Sequence, residues 1–162
     1  MVEAVNDQRV PRFALASAAA GALFFDGDGR VLLVHPTYKP FMDIPGGYVE
    51  PGETPYEACV REVGEELGIR PVIGRLLVVD WAPLPPEGDK VVFVFDGGIL
   101  GGEMIERIAF TDNELSGYEF RSVEELDGLL IDRLARRLKA AAAARGSMET
   151  VYLEHGRIAP AE

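Results

Sequence analysis

The apolar positions of this chain change period several times, and each change marks an expected element. From Phe13 to Phe25 nearly every residue is apolar or small. That run reads as a long strand, and Asp26 to Gly29 (Asp-Gly-Asp-Gly) is the turn signal behind it. Arg30 to His35 reads as a second strand, so a hairpin is expected. Pro36 to Met42 is loop, and Asp43 to Gly47 (Asp-Ile-Pro-Gly-Gly) leads onward. Val72 to Trp81 and Lys90 to Ile99 are β-rich runs. Between them Pro83, Pro85 and Pro86 exclude regular structure from Ala82 to Asp89. Asp112 to Phe120 reads as an acidic loop. Ser122 to Leu130 reads as a short helix capped by Ser122, with Glu125 three residues on. Ile131 to Ala144 is a further helical run with Leu134 and Leu138 on one face, and Thr150 to Ile158 a last short strand. Strands and helices mix without regular βαβ alternation, which predicts a mixed sheet with helices packed on it, an α/β fold. No repeat or linker interrupts the chain, so residues 1–162 are expected to form one domain, with 1–11 as a polar arm.

The best-defined element is a helix over Pro55 to Leu67. Thr54 is a cap, Pro55 sits where its missing N–H does no harm, and Glu57 completes a capping box. Gly68 stands where a left-handed residue ends a helix. At roughly 100° per residue, Tyr56, Cys59, Val60, Val63 and Leu67 share one arc, the expected core face. Glu62, Glu65 and Glu66 fall on an adjacent arc beside the small Ala58, with Arg61 next to them. One face anchors the helix; the other is acidic.

That acidic face changes the picture. Glu50, Glu53, Glu57, Glu62, Glu65 and Glu66 crowd around a single cation, Arg61. Clustered carboxylates repel, so a cluster held on one ordered element points to divalent cations, which prefer oxygen ligands and often share them with phosphates. The net charge of −11 argues against a nucleic-acid polymer or an anionic membrane as partner. A small anionic substrate remains compatible if metal neutralises it locally. The lone cysteine, Cys59, excludes an intrachain disulfide and lies on the core face. Phe13 to Phe25 is too short to span a bilayer, nothing at the N-terminus reads as a secretory signal, and the cytoplasm is the expected location.

From Gly47 to Ile69 the fixed positions run Gly47, Glu53, Arg61, Glu62, Val63, Glu65, Glu66, Gly68 and Ile69. This is the pattern of the Nudix box, and the chain resembles a MutT-like Nudix hydrolase. The resemblance implies a mixed β-sheet in an α/β/α sandwich. It implies hydrolysis of a nucleoside diphosphate derivative, with two or more Mg²⁺ or Mn²⁺ ions. Glu62, Glu65 and Glu66 match the family's ligating glutamates, and Gly46 the residue whose carbonyl also ligates in some members. Glu53 matches the residue that pairs with Arg61 and orients Glu62. A further carboxylate often comes from a loop after the box. Glu114, six residues before Phe120, matches it in one branch, and Glu119 is the alternative. Either Glu65 or Glu114 serves as general base.

Substrate class stays open at this level. Pro85, about sixteen residues past the box, resembles an ADP-ribose signature, but a loop with three prolines matches it almost unavoidably. A nucleoside triphosphate, ADP-ribose and a nucleotide sugar are all compatible, and so is a homodimer. His35, Tyr38, Lys39 and Phe41 precede the glycine pair, where Lys39 suits a phosphate and an aromatic suits a base. Met42 replaces a tryptophan common in the family, which weakens the case for base stacking there. Trp81 and His155 read as structural. Two other classes compete. A non-catalytic nucleotide sensor is disfavoured by the complete box. An isoprenoid diphosphate isomerase is disfavoured because the only cysteine lies inside the box helix.

Overall fold

The computed structural model describes residues 13–160; the arm expected over 1–11 lies outside them. Strands β1 (Ser17–Phe25), β2 (Val31–Pro36) and β3 (Gly46–Tyr48) lead into helix α1 (Pro55–Leu67). Strands β4 (Leu76–Trp81) and β5 (Lys90–Ile99), a short helix α2 (Gly102–Glu106) and strand β6 (Leu115–Arg121) follow. A single 3-10 turn at Val123–Leu126 precedes helix α3 (Asp132–Ser147), and strands β7 (Val151–Glu154) and β8 (Arg157–Ile158) close the chain.

The eight strands form one mixed sheet in the order β6-β2-β1-β5-β4-β7-β8, with β3 also paired to β1. β1 runs parallel to β5 along its whole length, and β4 runs parallel to β7. The expected hairpin is present, but β1 and β2 share only the pair Phe25↔Val31. They then diverge, because β3 occupies β1 from Ala19 to Gly21. That wedge brings the glycine pair against the centre of the sheet.

Alternation along β1 builds two cores. Ala20, Ala22 and Phe24 pack with Cys59, Val63 and Leu67 of α1, while Leu23 and Phe25 pack with Leu134, Leu138 and Ala141 of α3. The result is an α/β/α sandwich. Fully burying Val63 and Leu67 contributes about 1.5–3 kcal/mol each, which seats α1 firmly.

Several expectations change. The Phe13 to Phe25 strand starts only at Ser17, and the Val72 to Trp81 strand only at Leu76. Asp112 to Phe120 is not all loop: Leu115 onward forms β6, paired with β2 from Val31↔Arg121 to Pro36↔Leu115. Its weak local pattern is decided by the free edge that β2 offers. The helix expected over Ser122 to Leu130 shrinks to the 3-10 turn, although the Ser122–Glu125 capping box forms. The last strand is a hairpin, turned at His155 and Gly156, both at positive φ. Tyr56 is 43% exposed rather than core. Its ring stands edge-on to Phe95 and its hydroxyl donates to the Ile73 carbonyl.

Candidate active site

Helix α1 is held at both ends as its sequence dictates. The Glu57 N–H donates to Thr54 Oγ1 at 3.2 Å and the Thr54 N–H to Glu57 Oε2 at 2.8 Å. Such a cap is worth about 1 kcal/mol. Gly68 adopts φ 67°, and a Cβ there would lie 2.8 Å from the Ala109 carbonyl oxygen. The rotation of α1 about its axis is therefore fixed, and with it the direction of each glutamate.

The three helix glutamates meet different surroundings. Glu65 is exposed, Glu62 half-buried, and Glu66 only 5% exposed. Ala58, on the same arc, is fully buried. The acidic arc is thus covered at one end, where β3 crosses it. The Gly46 N–H donates to Glu66 Oε2 at 2.8 Å. Gly47 lies against Glu62, whose Oε1 would be 2.4 Å from a Cβ at that position. Gly47 thus leaves room for the Glu62 carboxylate, while Gly46, at φ 154°, lets β3 lie against the backbone of Ala20 and Gly21.

Arg61 ties the cluster together. Its Nε and one terminal nitrogen grip Glu53 at 2.6 and 3.0 Å. Its other terminal nitrogen reaches Glu62 at 2.8 Å and Glu65 at 3.0 Å, and the Tyr48 carbonyl accepts a further bond. The Arg61 guanidinium, with help from the Glu50 N–H, holds the Glu53 carboxyl down at about 2. Glu62 is pushed upward, chiefly by burial, against the pull of Arg61. Glu66 is pushed up to about 8 by burial first, with Glu62, Asp43 and Glu114 adding repulsion and the Gly46 N–H opposing it.

Glu66 is the test of whether a metal fits. Among the described residues no ion pair neutralises it; the nearby Lys39 is paired with Asp43. A buried carboxylate surrounded by carboxylates is an unfavourable arrangement that a divalent cation relieves. The donors are all oxygens, which suits Mg²⁺ or Mn²⁺. Among the described residues no group of three His, Cys, Asp or Glu side chains is arranged to hold an ion by itself. Mg²⁺ can take one or two carboxylates and complete its shell with water and substrate phosphate.

Glu114 and Glu119 separate clearly. Glu114 is exposed at the end of the loop before β6, with its carbonyl bound by the Thr37 N–H at 2.8 Å. Its charge is felt by both Glu62 and Glu66. Glu119 lies on β6 and engages Arg121 at 3.1 Å and His35 at 3.9 Å instead. Asp43, which carried no role in the sequence pattern, joins the cluster. Tyr38 is 67% exposed.

Beside the acidic cluster lies a cavity of about 440 Å³ between the sheet and α3. Asp43, Gly46 and Gly47 line it as well, so cavity and carboxylates share a border. Its apolar wall comes from Ala19, Gly21, Val92, Val94 and Leu134. Small residues on β1 leave the space. Arg137 of α3 also lines it, a residue the sequence pattern did not single out because its partner, Asp80, is fifty-seven positions away.

The profile of the NUDIX domain matches residues 16–144. The chain belongs to the Nudix family. An ADP-ribose pyrophosphatase of Methanocaldococcus jannaschii is 37% identical over 103 residues, covering 61% of this chain and 61% of that protein. The human diphosphoinositol polyphosphate phosphohydrolase 3-alpha is 41% identical over 68 residues, covering 41% and 42%. The chain thus spans less than two thirds of the length of these curated relatives. Among solved structures, a MutT protein from Methanosarcina mazei Go1 superposes with a TM-score of 0.67 at 25% identity, over 83% of this chain and 96% of that one. A UDP-X diphosphatase superposes with a TM-score of 0.71 at 20% identity, over 90% and 70%, which shows the shared fold. No described helix is long and apolar enough to cross a membrane.

Proposed function

We propose that this Nudix protein hydrolyses the diphosphate linkage of a nucleoside diphosphate derivative with Mg²⁺ or Mn²⁺. One observation carries the reading: a buried Glu66, with no cation paired to it among the described residues, stands beside Glu62 at the border of a cavity large enough for a nucleoside. Glu62, Glu65 and Glu66 would hold two or more ions, with Glu114 and the Gly46 carbonyl completing the set. When bound, the metal supplies charge neutralisation on the phosphates and a more acidic water.

The chain's own residues have separate tasks. Arg61, clamped by Glu53, orients Glu62 and limits its motion. The Gly46 N–H fixes one oxygen of Glu66. Water attacks one phosphorus of the bridge, a carboxylate, Glu65 or Glu114, takes its proton, and the bridging P–O bond breaks so that its oxygen leaves with the other phosphate. The remaining group of the substrate occupies the cavity next to the glycine pair. Relatives named for ADP-ribose and diphosphoinositol substrates support the diphosphate bridge as the common feature.

The test is a panel of ADP-ribose, dinucleoside polyphosphates, nucleotide sugars and nucleoside triphosphates, with products identified by mass. Hydrolysis that needs added Mg²⁺ or Mn²⁺ and stops with chelator is expected. A folded protein that cleaves none of them with either metal overturns the proposal.

A further inference from the structure

Arg137 lies on the inner face of α3 and is 7% exposed. Its Nε donates to Asp80 Oδ2 at 2.6 Å, and Asp80 itself is fully buried. The other Asp80 oxygen accepts the Gly156 N–H at 3.1 Å. Both Asp80 oxygens are thus engaged, and the carboxylate anchors the guanidinium at Nε. Among the described residues no acceptor meets the two terminal nitrogens of Arg137, and the side chain lines the cavity. The buried side-chain polar atom without a partner among the described residues is Arg136 Nε, so the Arg137 terminal nitrogens keep some solvent contact, and the end-on edge is a double donor at the cavity wall. Water or a ligand accepts from these donors.

The remaining walls describe the ligand. Lys39 is paired with Asp43, Lys90 with Glu87 at 2.7 Å, and Arg137 with Asp80. Among the described residues only Arg133, which meets the Pro83 carbonyl at 3.4 Å, lacks a carboxylate of its own among the cavity's cations. The charges of Lys39, Lys90 and Arg137 are each offset by a carboxylate, which favours a neutral ligand over a further phosphate. Ala19, Gly21, Val92 and Val94 offer a flat apolar face instead. The cavity suits a neutral ring, and the end-on edge of Arg137 suits two adjacent acceptors. Guanine and hypoxanthine present O6 beside N7. Adenine presents an amino group beside N7, and that group would confront a donor.

We infer that Arg137, oriented by Asp80, is a specificity-determining residue that selects a 6-oxopurine over adenine in the cavity beside the glycine pair. This rests on the proposed function only in taking the cavity as the place of the substrate's nucleoside. It would set this chain apart from a relative named for ADP-ribose.

Free nucleosides test it without metal or turnover. Inosine, guanosine, adenosine and uridine are titrated into the metal-free protein by heteronuclear NMR. Inosine and guanosine should bind roughly tenfold more tightly than adenosine, the scale of one bidentate pair. Uridine, with no adjacent acceptor pair, should be weaker too. Arg137→Lys keeps a cation for Asp80 but removes the fork, so the ratio of inosine to adenosine affinity should fall towards one at unchanged melting temperature. Should that variant unfold, the wild-type protein decides alone: 7-deazaguanosine must bind more weakly than guanosine. Adenosine or uridine binding as well as inosine, a preference that survives Arg137→Lys, indifference to N7, or no nucleoside binding at all would each overturn the inference. None of these results depends on hydrolysis, so an inactive protein that still prefers inosine would refute the proposed reaction and leave Arg137 its role.

Discussion

Gly47 and Glu62 are in contact: a Cβ on the glycine would stand 2.4 Å from the carboxylate oxygen. The carboxylate is the far end of a flexible side chain, so Gly47→Ala can be accommodated by moving Glu62 rather than backbone. The variant should melt within a few degrees of wild type, yet lose most of its affinity for Mn²⁺ and most of its turnover. Calorimetric metal titration beside thermal melting checks this. Unchanged metal affinity would mean that Glu62 holds no ion.

Glu66→Gln should remove nearly all turnover in a folded protein, because loss of a ligand sacrifices on the order of several kcal/mol of charge stabilisation. It should also change the pH dependence of stability without metal. Glu66 stands at about 8 in the folded chain against an ordinary 4.5. Between those values the native state keeps a proton that the unfolded chain has released, so stability falls as pH rises. Its contribution is fully present below about 4.5 and lost as pH passes through about 8. Glu62, also raised, acts in the same direction, whereas Glu53, held at about 2, acts only below the ordinary range. In chelator, wild-type melting temperature should therefore decline from pH 5 to 8 more steeply than that of Glu66→Gln. Parallel pH profiles would show that Glu66 is not the titrating group.

Glu114→Gln should lower turnover strongly and leave the first metal's binding nearly intact, since Glu114 reaches the cluster only from a loop. Glu119→Gln should do little, because that side chain is engaged by Arg121 on β6. Steady-state kinetics on both variants decide the matter. Loss confined to Glu119→Gln would reassign the residue, and no loss in either would make Glu65 the base.

Cys59 is fully buried, and burial pushes its thiol up to about 12. It should resist thiol reagents in the native protein. Cys59→Ala should retain full turnover at a loss of about 1–2 kcal/mol from the small cavity left behind. Abolished chemistry in a well-folded variant would point to a thiol mechanism.

Local chemistry was sufficient for α1. Thr54, Pro55, Glu57 and Gly68 act within a turn of the helix they bound, and the helix runs over the residues they delimit. The same holds for β5, an apolar run that needs no special partner to be a strand. The Nudix spacing, too, is local, and it identified the family and an α/β/α fold. What sequence could not decide depended on distant segments. β6 exists because β2 leaves an edge to pair with. Helical periodicity placed Glu62, Glu65 and Glu66 on one arc, but only β3 crossing that arc makes Glu66 buried and Glu65 exposed. The Arg137–Asp80 pair and the cavity it lines arise from packing α3 on the sheet. Helix signals are short-range and legible one turn at a time. Burial, and the electrostatics that follow from it, are set by whichever remote segment covers a residue, and that is known only once the layers have packed.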